Sequence, residues 1–319
     1  MSVVLTVSLL GTACTPAVLT PVSIRPTSTA HADVVVVLKS DDNPLFEQLL
    51  ESFYARSDAT VRVYSDVSSK IAGRMNETLR KDGPSLILCL GPDAAAYAQD
   101  NIHELPVLFA LVPPGQELGL RKSPNFMGVS VTPRPELEFS QFKMVLPRVH
   151  RVLAFFDPVN SQALIHQAQG ALKGLGIELL SVPVKSLAEI RTMFPAASHD
   201  VDAVWLLADP IVINRPTFEF LRDATLTGHV PLLTSLSEGF SEAGALMSVS
   251  VDINSVGSQV ALLAHKVLHQ GQRTNQIGIQ PPFGVSLAVN LDTAAQIGVP
   301  LTAELLGTVN RVYTSDSAQ

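Results

Sequence analysis

The sequence predicts an α/β protein of two lobes, each a parallel sheet covered by helices on both faces. Three observations predict it. Strand-like apolar runs alternate with amphipathic helical patterns from residue 33 onward, the alternation that marks βαβ units. The runs are near-continuously apolar, as strands must be when helices cover both faces of their sheet. The series also stops and restarts. DVVVVLKSDDNP (33–44), TVRVYSD (60–66), SLILCLGPD (85–93) and PVLFALVPP (106–114) form one set. RVLAFFDP (151–158), IELLSVPV (177–184), DAVWLLADP (202–210) and VPLLTSL (230–236) form the second.

The first 32 residues stand apart from this rhythm. VVLTVSLL (3–10) is a short apolar stretch, and residues 15–32 are rich in Pro, Thr and Ser, which reads as an export signal followed by a tether or cleavage region. Two processing routes fit. LLGTAC (9–14) resembles a lipoprotein box with Cys14 as the lipidation site, although Gly11 stands where a larger aliphatic residue is usual. Ala30-His31-Ala32 fits a small-residue cleavage site, although Arg25 separates it from the apolar stretch. A cytosolic tail is the third reading.

Helices are expected at 45–55, 69–81 and 93–101 in the first series. In the first of these, Leu45, Leu49, Leu50 and Phe53 form one apolar stripe, and Asn43 caps the helix before Pro44. Asp93, after Gly91-Pro92, reads as another N-cap. GVSV (128–131) is read as a first crossover between lobes. A helix from Glu136 follows, then helices at 161–176, 186–194 and 215–228 in the second series. SVSVD (248–252) repeats the crossover texture, and the long helix over 253–269 returns to the first lobe. QPPFGVSLAVNL (280–291) crosses back. The expected division is 33–131 plus 251–279 for one lobe and 132–250 plus 280–319 for the other, a three-crossover clamshell.

Composition narrows the function. Hydrophobic residues make up 46% and charged residues 16% of 319, which describes a compact globular chain and not a disordered one. The net charge of −7 and the lack of a basic stripe argue against nucleic acid. Two cysteines, Cys14 and Cys89, give no disulfide framework or zinc pattern, and Cys89 reads as a core thiol. No metal or cofactor is expected. His265 and His269 share a helix face without a third ligand, Gly174-Leu175-Gly176 follows a helix and not a strand, and GFSEA (239–243) only grazes a nucleophile elbow.

In parallel α/β sheets ligands bind beyond the carboxyl ends of the strands. Those ends supply Asp41, Asp42, Asn43, Ser65, Asp66, Asp93, Ser130, Asp157, Asn160, Ser161, Asp209, Ser235 and Asp252, with Gly91 and Pro113 at the same edge. Asp42, Asp157 and Asp209 each end an apolar strand and are the stronger ligand candidates. Asp93 and Ser161 read more readily as helix caps. Helix N-termini at this edge suit a carboxylate, and the aspartates suit an ammonium. With no basic residue expected at an equivalent strand end, the reading favours a small amine-bearing solute such as an amino acid. Tyr64, Phe109 and Phe240 can stack on a ligand ring, with core packing the plainer role for each.

LILCLGPDAA (86–95), PVLFALVPP (106–114), NFMGVSVTP (125–133), LPRVHRVLAFFDPVNS (146–161), VDAVWLLADP (201–210), ALMSVSVD (245–252) and LAVNLDTAAQIG (287–298) occur in the order and spacing of a known family. The chain resembles the substrate-binding proteins of ABC transporters with the type I periplasmic binding-protein fold, in the family that includes aromatic-amino-acid binders. The resemblance implies two Rossmann-like lobes joined by a three-crossover hinge. It also implies a periplasmic or outward-tethered location, and capture of a small solute for a permease in the inner membrane. The Asp41-Asp42 pair, the glycine-free YSDVSSK loop (64–70) and ADPIVINRPT (208–217) depart from the family pattern and leave the ligand open.

The leading expectation is therefore a monomeric, non-enzymatic solute-binding protein that closes over its ligand. A ligand sensor docking on a membrane receptor kinase fits the same residues. A hydrolase or isomerase on this fold needs a base–nucleophile pair that the strand ends do not offer.

Overall fold

A computed structural model of the chain describes residues 33–67 and 72–314. The expected export segment 1–32, with Cys14, lies outside the described residues. From residue 33 the chain runs β1 (Val34–Lys39), α1 (Pro44–Tyr54), β2 (Thr60–Tyr64), α2 (Ala72–Asp82), β3 (Leu86–Leu90), α3 (Pro92–Asn101), β4 (Val107–Ala110), α4 (Pro114–Leu120) and β5 (Phe126–Val129). It continues with α5 (Pro135–Val145), β6 (Arg151–Phe156), α6 (Pro158–Gly174), β7 (Glu178–Pro183), α7 (Leu187–Ala197), β8 (Ala203–Leu206), α8 (Arg215–Thr227), β9 (Leu232–Thr234), α9 (Gly239–Glu242) and β10 (Met247–Val251). The last part is α10 (Ile253–Leu268), α11 (Thr274–Ile277), β11 (Ile279–Gln280), β12 (Val285–Asn290), α12 (Leu291–Ile297), α13 (Ala303–Leu306) and β13 (Arg311–Tyr313).

These strands form two sheets, ordered β11-β5-β4-β3-β1-β2 and β13-β12-β10-β9-β8-β6-β7. Every pairing is parallel except β10 with β12. The core of each sheet repeats one order, 2-1-3-4-5 and 7-6-8-9-10. The chain passes between sheets three times, after β5, after β10 and after β11.

The two-faced burial of the strands explains their continuous apolarity. Val35, Val37, Leu86 and Leu88 face α1 and α10, whereas Val36, Leu38, Ile87 and Cys89 face α2 and α3. In the second sheet Val152, Ala154 and Trp205 face α5 and α6, whereas Leu153, Phe155 and Val204 face α7 and α8. The contact of α10 with α1 ties the returning chain to the first sheet. It requires glycine at 257, where an added Cβ would lie 2.3 Å from the Leu49 carbonyl oxygen.

Four details differ from the sequence reading. The buried stripe of α1 is Phe46, Leu49, Leu50 and Phe53, and Leu45 is exposed. The run 106–114 leaves its strand at Ala110, and Pro114 opens the unexpected helix α4. The short helices α9 and α11 were also not expected. Asp93 is not a cap: it sits exposed inside α3, whose N-cap is Gly91.

Candidate functional site: the cleft between the sheets

Each sheet reverses its strand order once, between β1 and β3 in the first and between β6 and β8 in the second. Such reversals are where open α/β sheets hold ligands. At the first reversal, the Ser40 hydroxyl donates to the Leu90 carbonyl at 3.1 Å and accepts from the Ala94 amide at 3.0 Å. It thereby supplies the capping acceptor that α3 lacks at Gly91. Gly91 has φ 87°, and a Cβ there would lie 2.7 Å from that same hydroxyl.

Just before it, Lys39 ends β1 with its ammonium buried, donating to Glu47 at 2.6 Å and to Asp42 at 3.2 Å. The hydrogen bond it donates to Glu47 is the largest influence holding its pKa above the ordinary lysine value, and burial opposes it. This overturns the expectation of no basic residue at a strand end. The Asp42 carboxylate is matched from within its own lobe. Asn43 caps α1 by accepting from the Leu45 amide, and Asp41 accepts from the Asn43 amide. Ser65 and Asp66 are exposed beyond β2, with Asp66 in a left-handed conformation.

The second reversal is also self-contained. Asp209 has 0% exposure. One of its oxygens accepts from the Asp157 amide at 2.8 Å and the Ser161 hydroxyl at 2.6 Å, and the other accepts from the Ile211 amide at 2.8 Å. Asp157 caps α6 by accepting from the Val159 amide and binds the Asn160 side chain at 2.5 Å. Ser161 is therefore a donor to Asp209 and not a cap. Asp209 locks β8 to the start of α6, and the carboxylates of Asp157 and Asp209 are spent within the lobe.

A cleft of about 960 Å³ opens between the two sheets. From the first sheet it is lined by α4 with the residues before it and by β11. From the second it is lined by the start of α5, by α6 and by the segment after β8. Of the sequence candidates, Pro113, Ser130, Asn160 and Ser161 line it. Asp42, Asn43, Ser65, Gly91, Asp93, Asp157, Asp209, Ser235 and Asp252 are not among its lining residues, although Ala208 and Pro210 beside Asp209 are. Ser130 accepts from the Thr132 amide at the first crossing. Asp252 caps α10 at the second and accepts from Ser255. Ser235 hydrogen bonds Glu138 in the second lobe.

The cleft brings forward residues the sequence reading passed over: Glu117 on α4 and Arg121 at its C-cap, Arg134 before α5, Gln167 on α6 and Gln280 on β11. Leu118, Leu164, Ile213 and several prolines supply apolar wall. Glu117 is 4% exposed and its Oε1 pairs with Arg121 at 2.6 Å. Among the described residues no ion pair forms to Arg134. The aromatic candidates do not line the cleft. Phe109 is fully buried against Gly128, Phe240 packs edge-on against Phe218 at 5.0 Å between ring centres, and the Tyr64 hydroxyl donates to Asp82.

Away from the cleft, Glu138 is buried in the second lobe and accepts from the Trp205 indole at 2.6 Å. Burial pushes its pKa from 4.5 up to about 8, against the opposing hydrogen bonds from Trp205 and Ser235. Burial also pushes the Cys89 thiol well above its ordinary value, consistent with an inert core residue. His269 lies 3.2 Å from Asp58 and 3.6 Å from Asp33, so it tethers the end of α10. Among the described residues, no group of three or more His, Cys, Asp or Glu could hold a metal ion. No described helix is long and apolar enough to cross a membrane.

Among solved structures, the ligand-free open form of CD0873, a substrate-binding protein with adhesive properties from Clostridium difficile, is 15% identical. It covers 89% of this chain and 100% of its own, with a TM-score of 0.70. An ABC domain in complex with L-Trp from Streptococcus pneumoniae is 18% identical, covering 88% of this chain and 99% of its own, with a TM-score of 0.56. A conserved domain protein from Vibrio cholerae is 19% identical, with 88% and 99% coverage and a TM-score of 0.55. These establish the type I periplasmic binding-protein fold of two Rossmann-like lobes. No curated protein sequence matches the chain significantly. A family model described as ABC transporter substrate binding protein matches residues 58–312, which is most of the chain. With two mostly parallel sheets facing one cleft, that match shows that the chain belongs to the ABC transporter substrate-binding protein family.

Proposed function

We propose that this protein captures a small amphipathic, amine-bearing solute of the amino-acid type between its lobes and presents it to a membrane permease. The observation that carries the reading is the cleft of about 960 Å³, large enough for an amino acid and lined from both sheets. Its walls combine apolar side chains with a few polar groups of both signs, as a zwitterion with an apolar side chain requires. Arg134 is the cation for a carboxylate, and Asn160, Ser161, Gln167 and Gln280 offer neutral hydrogen bonds. A complex of one like-folded protein with L-Trp agrees with this class of ligand.

The mechanism is hinge closure. The lobes proposed to move are 33–131 with 251–279 and 132–250 with 280–319. A solute touching both lobes binds the closed state better and draws the equilibrium toward it. No chemical step is involved. Family members act outside the cytoplasm, and residues 1–32 fit an export signal with either lipidation at Cys14 or cleavage after Ala32.

Native mass spectrometry of protein purified without refolding tests the reading. The expected result is a retained small molecule that calorimetry confirms as a one-to-one ligand. A protein that carries no solute and gives no heat with any proteinogenic L-amino acid or biogenic amine contradicts it.

A further inference from the structure

The Glu117 carboxylate is 4% exposed and lines the cleft. Oε1 is engaged by Arg121, whereas Oε2 is buried and has no hydrogen-bond partner. Buried oxygens without partners are rare, because each forfeits its hydration without replacement. Only two such side-chain atoms occur among the described residues, and the other, the Ser248 hydroxyl, belongs to β10 and not to the cleft lining. An orphaned acceptor on a residue that lines a solute-sized cleft is a position waiting for a donor.

We propose that Glu117 Oε2 is the acceptor for the solute's ammonium group and that Glu117 sets the preference for amines. The inference rests on the binding reading above and names the residue that selects the ligand class. A carboxylate oxygen accepts but cannot donate, so its partner must bring a hydrogen. An ammonium brings three, with a positive charge, and charge-assisted hydrogen bonds are about twice as strong as neutral ones. Arg121 does not satisfy this demand, because it reaches only Oε1 and half of its side chain lies in solvent. The strand-end aspartates do not compete for the role: Asp42 is matched by Lys39, and Asp209 by three donors of its own lobe.

The test is calorimetry with wild type, Glu117→Gln and Arg121→Ala. The probes are the proteinogenic L-amino acids, their decarboxylated amines, their deaminated acids, and D-glucose and D-ribose as neutral polyols. The wild type is expected to bind at least one L-amino acid and to lose at least tenfold in affinity for the deaminated acid of that ligand. Glu117→Gln is expected to lose at least tenfold for the amino acid (about 1.4 kcal/mol) and little for the deaminated acid. Arg121→Ala separates ligand recognition from structural support. It frees a second oxygen and removes a competing cation, so amine affinity is expected to rise. If Glu117 serves only to hold Arg121, both variants will weaken binding alike, which overturns the proposal. Amine binding indifferent to Glu117→Gln also overturns it while leaving the binding reading in place. Polyol binding that depends on Glu117 overturns the ammonium assignment. A wild type that binds no probe overturns the binding reading and this inference together.

Discussion

The two sheets share one strand order, yet their reversals are built from different chemistry. The first is closed by a hydroxyl, with Ser40 bridging Leu90 and Ala94, and its neighbouring charges form a cluster of Lys39, Asp42 and Glu47. The second is closed by a carboxylate, with Asp209 taking three donors from the start of α6 and the following loop. Both reach the same end, because the carboxylates of Asp42, Asp157 and Asp209 are engaged within their own lobes. The free groups lie one step away, on α4 of the first lobe and along α6 of the second. A polar residue at a strand end is thus a ligand candidate only when its own lobe has not satisfied it, and sequence position alone does not reveal that.

Substitutions at the two reversals should break this comparison unequally. Asp209→Ala is expected to have the largest effect. It leaves the buried donors of Asp157 and Ser161 and the part-buried Ile211 amide unpaired, and denaturant unfolding should show a loss of about 4 kcal/mol. Ligand loss with unchanged stability would restore Asp209 as a direct contact. Gly257→Ala should follow, at about 3 kcal/mol, because its methyl meets the Leu49 carbonyl where α10 docks on α1. Urea titration followed by circular dichroism reads this, and an unchanged midpoint would mean that α10 docks loosely.

The second lobe also titrates through Glu138. Its carboxyl holds a proton in the folded protein up to about pH 8, while the unfolded chain releases it near 4.5. Between those values the folded state binds more protons, so stability falls as pH rises from about 4.5 to about 8 and is level outside that window. Glu138→Gln should flatten the dependence and raise the melting temperature at pH 9. Trp205, the single tryptophan, makes its own fluorescence the probe for the wild-type transition. A wild-type stability curve without this slope would place Glu138 ionised in the folded state. The smallest effect is expected from Ser40→Ala, about 1–2 kcal/mol in thermal unfolding, since it removes one neutral hydroxyl with two hydrogen bonds.

The sheets were legible because burial on both faces imposes near-continuous apolar runs such as VVVV and LILCL, and the paired series revealed two of them. The cleft was only partly legible. Asn160 and Ser161 stand where a strand meets a helix, a signal sequence position preserves. Glu117 had no such signal. Its helix holds two glycines after a proline pair and buries only Glu117 and Leu120, so no apolar stripe announced it. The one available hint was a glutamate four residues before an arginine, the spacing of a helical ion pair. The pairings of the aspartates were illegible for the converse reason, because their partners include Lys39 from the preceding strand and backbone amides of their own lobe. Such pairings appear only once the chain is folded.

Hydrogen exchange with and without a saturating mixture of the proteinogenic L-amino acids tests the central claim most directly, because it reports where the solute sits. The expected result is ligand-dependent protection in 113–121 and 158–167, on opposite sides of the cleft, with little change at 40–43 and 91–94. Protection confined to the first reversal, or absent altogether, would contradict the claim that the cleft between the lobes is the binding site.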